Sequence, residues 1–218
     1  MIVTICGLSG QGIIVFSETL TDALLRSDIE VIATDYPAAA HRDSGFHTDI
    51  KIDEGDRSPR ILPGESDLII GFERFYTLRT AMKYANKGAN VVFNTYAKDV
   101  RDADRDSGVP GTDFVEFLDR EETVDYFTRG GIERENLYQI DASLVSQKVM
   151  GTQIATNTVM LGAVAGLGFL PVSRDDLREA MVANLSNLPE QVVEDNIRAF
   201  NKGIESVDTV DGAKPSSG

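Results

Sequence analysis

"ICGLSGQGIIV", residues 5–15, sets Gly7, Gly10 and Gly12 between two apolar runs of different periodicity. Ahead of it, "MIVTIC" (1–6) reads as a continuous buried strand. Behind it, residues 13–26 carry Ile13, Phe16, Leu20 and Leu24 at helical spacing on one face. Strand, glycine loop and helix open an α/β unit, and backbone N–H groups at such a helix N-terminus can meet an anion. In this reading Gly7 allows the sharp turn, Gly10 lets a ligand approach, and Gly12 packs the helix tightly on the strand. The dinucleotide fingerprint is G-x-G-x-x-G, however, and this loop runs G-x-x-G-x-G. No Lys-Ser/Thr follows the last glycine, so it is not a P-loop. Asp35, at the end of the next strand, stands near the distance expected of a ribose-binding acid. The loop alone leaves two readings open: it holds a phosphate, or it is a structural turn that contacts another subunit.

Outward from the loop the chain alternates strand and helix, which predicts an α/β fold: a three-layer α/β/α, Rossmann-like domain with a mostly parallel sheet. "IEVIATD" (29–35) and "GFHTDIKI" (45–52) read as strands, the second with alternating polarity. "SDLIIGF" (66–72) is a short buried strand, followed by a helix over 74–86 closed by "NKG" as a C-cap, then "ANVVFNT" (89–95). Residues 98–136 change character: they are charged and turn-rich, and predict an acidic insertion with one or two short helices over the sheet's edge. "LYQIDA" (137–142) returns to strand. The last third is helical. "TNTVMLGAVAGLGFL" (156–170) is apolar all round and predicts a buried helix, with Gly162 and Gly166 permitting close backbone contact with a neighbour. Ser173 and Asp176 form a capping box ahead of the next helix, and "PEQVVEDNIRAFNKGIESV" (189–207) is a final amphipathic one. Residues 1–205 thus form a single domain, with a polar, disordered tail over 206–218.

Composition limits the function classes. The net charge of −14 opposes a nucleic-acid partner, since the average field repels a polyanion. Asp outnumbers Lys about threefold, which fits either a salt-loving source or an ordinary acidic protein. No apolar run reaches the ~20 residues that span a bilayer, and no basic segment precedes the first one. A soluble, cytoplasmic protein with no membrane partner is expected. Cys6 is the single cysteine, so the chain cannot by itself close a disulfide or ligate an iron–sulfur cluster through four thiolates. At the end of an apolar strand it reads as a buried thiol rather than a nucleophile. The two histidines, His41 and His47, show no spacing that suggests a zinc site or a triad.

Taken together, "GLSGQGIIVFSETL", "HRDSGFHTDIKI", "SDLIIGFE" and "NTVMLGAVAGLGFLPVSRDDLREAM" resemble the gamma subunit, or gamma domain, of the 2-oxoacid:ferredoxin oxidoreductases, including the small subunit of indolepyruvate oxidoreductase. That family's loop reads G-x-G-G-Q-G; Gly7, Gly10, Gln11 and Gly12 match it, and Ser9 replaces a glycine. Its next loop carries S-Q-R-G-G-S before an alternating strand with a basic end. Arg42 fits the arginine and Lys51 the basic end, while "DSG" replaces "GGS". Its Asn-x-x-x-Leu-Gly-Ala helix is matched by Asn157, Leu161, Gly162 and Ala163. The match covers 1–96 and 155–202 and leaves the acidic middle unaccounted for.

The resemblance implies a piece of an enzyme. These enzymes use thiamine diphosphate to decarboxylate a 2-oxoacid oxidatively, usually passing the acyl group to coenzyme A and two electrons to ferredoxin. Thiamine diphosphate and the iron–sulfur (4Fe-4S) clusters are held by the alpha, beta and delta subunits, and this chain would carry none of them, nor act alone. No G-D-G…N metal–diphosphate motif is present, in keeping with that division. The candidate site is then Gly7, Ser9, Gly10, Gln11, Gly12, Arg42 and Asn157, completing the assembly and a pocket where coenzyme A docks; no residue is assigned as catalytic and none as a metal ligand. Gln11 either faces a ligand or partner, or bonds its own loop backbone. Arg42 either contacts coenzyme A phosphates or makes a cross-subunit ion pair. Asn157 caps or bonds a backbone group near the loop. In isolation the chain is expected to self-associate through apolar surface, for which the 156–170 helix is one source. The rival readings are a freestanding nucleotide- or coenzyme-A-binding module with no redox role, and a scaffold whose loop only packs on a partner.

Overall fold

β1 (Ile2–Leu8) is buried along its whole length because it lies inside a sheet with seven strands among the described residues. The computed structural model describes residues 1–37, 45–53, 55, 58–96 and 120–212. β2 (Val31–Pro37) and β3 (Gly45–Ile52) follow, then β4 (Ser66–Gly71), β5 (Ala85–Asn94), β6 (Leu137–Ile140) and β7 (Asp208–Thr209). Their order is β2-β3-β1-β4-β5-β6-β7. β1, β4, β5 and β6 pair in parallel, whereas β3 is antiparallel to both β1 and β2, and β7 to β6. Five strands therefore share one direction, and β3 and β7 oppose it. The sheet is mostly parallel, as the alternation of elements predicts.

Helices cover both faces. α1 (Ile13–Arg26), α4 (Ala142–Met150), α5 (Thr156–Leu167), α6 (Arg174–Asn184) and α7 (Glu190–Ser206) form one layer; α2 (Arg74–Tyr84) and α3 (Arg120–Arg129) form the other. The predicted stripe of α1 is the buried one: Ile13, Phe16, Leu20 and Leu24 are each at most 3% exposed. Burying such a side chain contributes about 1.5–3 kcal/mol, which fixes this helix on the β1–β3 half of the sheet. The alternation of β3 sends Phe46, Ile50 and Ile52 to the α1 face and His47, Asp49 and Lys51 to the α2 face.

The neighbour that Gly162 and Gly166 admit is α7 of the same chain. A methyl group on Gly162 would overlap the carbonyl of Phe200, and one on Gly203 would overlap the carbonyl of Val159. One on Gly166 would lie 3.2 Å from the Ile204 Cα. α5 buries ten of its twelve residues inside its own chain, so it is not a source of surface for self-association.

Three expectations change. The "NKG" segment does not end α2; the helix stops at Tyr84 and residues 86–88 enter β5. Asp67 explains this, since its carboxylate accepts from the Asn86 side chain at 2.6 Å and from the Ile2 N–H at 2.7 Å. The extra residues form an irregularity between Ser66 and Leu68, which Gly88 accommodates with φ +102°. Residues 120–136 pack on the sheet's face rather than its edge: Val124, Phe127 and Ile132 join Ile69, Val91 and Phe93 in the core beneath α2. Residues 98–119 lie outside the described residues. Of the tail expected to be disordered over 206–218, residues 206–212 instead end α7, supply β7, bury Val210 and pair Asp211 with Arg134 at 2.8 Å, while 213–218 lie outside the described residues.

The Ser173 cap holds: its hydroxyl accepts from the Asp176 N–H at 3.1 Å and donates to the Asp176 carboxylate at 2.6 Å. No pattern in the sequence singles out α4, which Asp141 caps by accepting from the Leu144 N–H at 2.9 Å.

Candidate functional site

The glycine loop leaves the C-terminal end of β1 and turns at once into α1. The Gln11 N–H donates to the Leu8 carbonyl at 3.2 Å and closes the turn. The glycines do different jobs from those the spacing suggests. Gly10, with φ +92°, makes the sharp turn and is exposed, with open space around it. Gly7 belongs to the strand, where a side chain would collide with the Gln11 Oε1 at 2.6 Å and the Phe72 Cβ at 2.8 Å. Gly12, with φ +80°, is the N-cap of α1, and a methyl group there would press on Asn157 at 3.0 Å. Its tight contact is thus with α5 rather than with the strand.

Gln11 takes the inward option. Its Oε1 accepts from the Leu8 N–H at 2.7 Å and its Nε2 donates to the Phe72 carbonyl at 3.3 Å. That carbonyl also accepts from Asn94 Nδ2 at 3.1 Å. The same Asn94 nitrogen reaches Ser143 Oγ at 3.0 Å, and Asn94 Oδ1 accepts from the Ala142 N–H at 3.0 Å. Fully buried Asn94 therefore ties the ends of β4, β5 and α4 to the back of the loop. No motif pointed to it; only its place at the end of an apolar strand could have.

On the outer side the helix begins without a side-chain cap and without an acidic residue in its first turn. Among the described residues the N–H groups of Gly12 and Ile13 have no acceptor, and Ser9 and Gly10 beside them are exposed. An uncapped N-terminus carries roughly half a positive charge, so this corner can take an anionic group. Asn157, half-buried, makes no hydrogen bond among the described residues and has its amide available beside Gly12. The structure therefore brings Gly7, Ser9, Gly10, Gln11, Gly12 and Asn157 together. Arg42 and His41 lie outside the described residues.

An open cavity of ≈ 180 Å³ adjoins Asn157, between α1, α5 and α6, with Val15, Ile154, Met181 and Asn184 in its wall. Asp35 is not a ribose acid of the dinucleotide kind. In that fold the second strand lies beside the first, whereas here β3 separates them and Asp35 accepts from Thr48 Oγ1 at 2.6 Å. Cys6 is buried, and burial pushes its thiol up to about 12, which leaves it protonated and unreactive.

The α2 face of β3 holds a second polar cluster. Asp49, 2% exposed, accepts from Thr4 Oγ1 at 2.9 Å. Burial raises its carboxyl to about 6, against the opposing effects of the Thr4 hydroxyl, Lys51 and Lys83. His47 lies 3.9 Å from Asp49, and burial together with Lys83 holds its imidazole below the usual value. Because the folded-state value of Asp49 lies above its unfolded one, its contribution is full below about pH 4 and is lost as pH rises through about 6. Asp49→Asn keeps an acceptor for Thr4 and removes the charge. Its stability advantage over the natural chain should grow by on the order of 1–3 kcal/mol between pH 4 and pH 7, then level off. Urea unfolding at pH 4, 5.5 and 7 measures it; a pH-independent difference would contradict this account.

Residues 2–206 match the protein family described as pyruvate ferredoxin/flavodoxin oxidoreductase. The chain is 30% identical over 201 residues to indolepyruvate oxidoreductase subunit IorB of Methanothermobacter thermautotrophicus, covering 91% of this chain and 93% of that one. Its fold is similar to that of pyruvate oxidoreductase subunit PORC from Thermotoga maritima, with a TM-score of 0.64 at 19% identity, over 95% of this chain and 97% of that one. It is also similar to a 2-oxoglutarate:ferredoxin oxidoreductase from Magnetococcus marinus, solved with 2-oxoglutarate, coenzyme A and succinyl-CoA bound. There the TM-score is 0.67 at 19% identity, and the whole of this chain covers 33% of that one.

Proposed function

This chain belongs to the pyruvate ferredoxin/flavodoxin oxidoreductase family, and on that premise we propose that it is the gamma-type small subunit of a thiamine-diphosphate-dependent 2-oxoacid:ferredoxin oxidoreductase. The observation that carries the reading is the match over nearly the full length of both chains to a protein that is itself named a subunit. Thiamine diphosphate and the iron–sulfur clusters belong, in this reading, to partner chains. The chemistry of this chain supports that division: its one cysteine is buried and protonated. The residues do not fit an iron–sulfur cluster, and no redox step is assigned to them.

The glycine loop is where this subunit meets coenzyme A. Its uncapped helix start, exposed Gly10 and available Asn157 amide suit one of that ligand's phosphates. The oxoacid is an arylpyruvate of the indolepyruvate kind, following the relative most similar in sequence among those described above.

The test is reconstitution. The purified chain alone should reduce no viologen dye with indolepyruvate and show no ~400 nm iron–sulfur absorbance. Co-expressed with the thiamine- and cluster-bearing chains, it should restore turnover that those chains lack without it. Oxoacid turnover by the chain alone, or full turnover by the partners without it, would overturn the reading.

A further inference from the structure

α2 covers β1, β4 and β5 but stops short of the outer pair β2–β3, and a groove of ≈ 170 Å³ runs between them. It lies on the opposite sheet face from α1. Its floor is His47, whose ring stacks on Tyr36 across the strand pair at 4.6 Å with only 10° between planes. The ring of Tyr84 tilts over the same histidine at 5.6 Å. At the other end Tyr76 packs against Gly45, where any side chain would overlap its ring. Gly45 is therefore required for the groove's shape.

The wall toward solvent is cationic. Lys83 holds its ammonium 4.6 Å from the Tyr84 ring centre, and the Arg79 guanidinium sits 5.9 Å from that of Tyr76. Among the described residues neither has a carboxylate within ion-pair distance. Two such cations on one wall stand out on a chain of net charge −14. Aromatic faces orient them without neutralising them, so their charge remains for a visitor.

The spacing says what kind of visitor. Arg79 and Lys83 are one helical turn apart, about 6 Å along the axis. Alternate side chains on an extended segment lie about 6.6 Å apart on one face. The groove runs from Tyr76 to Tyr84, roughly 12 Å, enough for three or four extended residues. Among the described residues it is open to solvent, which suits a passing chain better than an enclosed small molecule. The geometry points to a docking groove for an extended acidic segment of a partner chain, with carboxylates at alternate positions on Arg79 and Lys83 and the residue between them facing the Tyr76–His47–Tyr84 floor. The partner is a subunit of the assembly proposed above, so that part of the inference rests on that reading. The net charge of −14 disfavours such a segment on the surface at large, and the two cations offset that here.

The probe is an acetylated peptide with Glu at alternate positions, Glu-Val-Glu-Val-Glu, titrated into the full chain and followed by NMR of the His47 imidazole and the Tyr ring signals. Binding should shift His47 and weaken steeply with salt. Lys83→Glu should lose at least tenfold in affinity, and Lys148→Glu, on a distant helix, should not. A scrambled Glu-Glu-Glu-Val-Val peptide that binds equally well would overturn the alternate spacing. Inorganic phosphate that displaces the peptide at equal concentration would make the groove a small-anion site instead. Assembly separates the partner from the proposed activity. Lys83→Glu should co-purify less of the partner chains than the natural chain does. Unchanged assembly despite lost peptide binding would overturn the partner assignment. Impaired assembly into a complex with no oxoacid turnover would leave the groove standing and remove the proposed function alone.

Discussion

Replacing Gly162 with valine should cost the protein its native packing, with a loss of more than about 3 kcal/mol and a chain that is largely unfolded or aggregated on expression. Even alanine places a methyl group in the Phe200 carbonyl, so α5 and α7 must separate along the seam that both bury. Overpacking a core typically costs about 1–3 kcal/mol, and the obstacle here is backbone, which cannot rotate away. The sign isolates the cause. In an exposed helix, glycine to alanine stabilises by about 1 kcal/mol. A graded series sharpens the test. Gly203→Ala, facing the Val159 carbonyl, should resemble Gly162→Ala. Gly166→Ala, with 3.2 Å to the Ile204 Cα, should lose distinctly less. Urea midpoints in the order Gly166→Ala above Gly162→Ala and Gly203→Ala would bear this out; a stabilised Gly162→Ala would refute it. The damage would also reach the loop, because Asn157 stands in the first turn of the displaced helix beside Gly12.

That seam shows what a sequence discloses. The all-round apolar character of 156–170 and the four-residue glycine spacing announce a buried helix with a close neighbour, because both are local properties of one segment. Which neighbour was hidden, since Phe200 and Gly203 lie in a segment whose own pattern says only that it is amphipathic. The loop follows the same rule. Its place between strand and helix was legible, and so was the inward option for Gln11. The roles of the three glycines were not, because they depend on Phe72 and Asn157 arriving from elsewhere in the chain. Strand β7 reads as tail in the sequence because a two-residue strand has no periodicity; only the waiting edge of β6 defines it. The groove beside α2 left no motif at all. His47 and Tyr36 look like ordinary strand residues until antiparallel pairing stacks them.

Replacing Gly10 with valine should leave the subunit folded and assembled but remove coenzyme A binding from the complex. Gly10 is exposed and a side chain there meets nothing within 4 Å, so the fold is not obstructed. Its φ of +92° disfavours a β-branched residue by about 1–2 kcal/mol, a cost a domain of this size tolerates. Gly10→Asn separates strain from obstruction, since asparagine enters positive φ readily. The donors in question are narrower than the loop alone suggests. The Gln11 N–H is taken by the Leu8 carbonyl, which leaves those of Gly12 and Ile13 without an acceptor among the described residues. A sulfate in a crystal should therefore settle over Gly12 and Ile13 beside the Asn157 amide, held by a helix-end field worth about 0.3–1 kcal/mol. Titrating coenzyme A into the complexes should show binding in the natural one, partial loss with Gly10→Asn, and none detectable with Gly10→Val. If Gly10→Val instead assembles poorly while the complex that does form binds coenzyme A unchanged, the loop is a docking surface for a partner chain, and its open helix end is closed by that chain rather than by a phosphate.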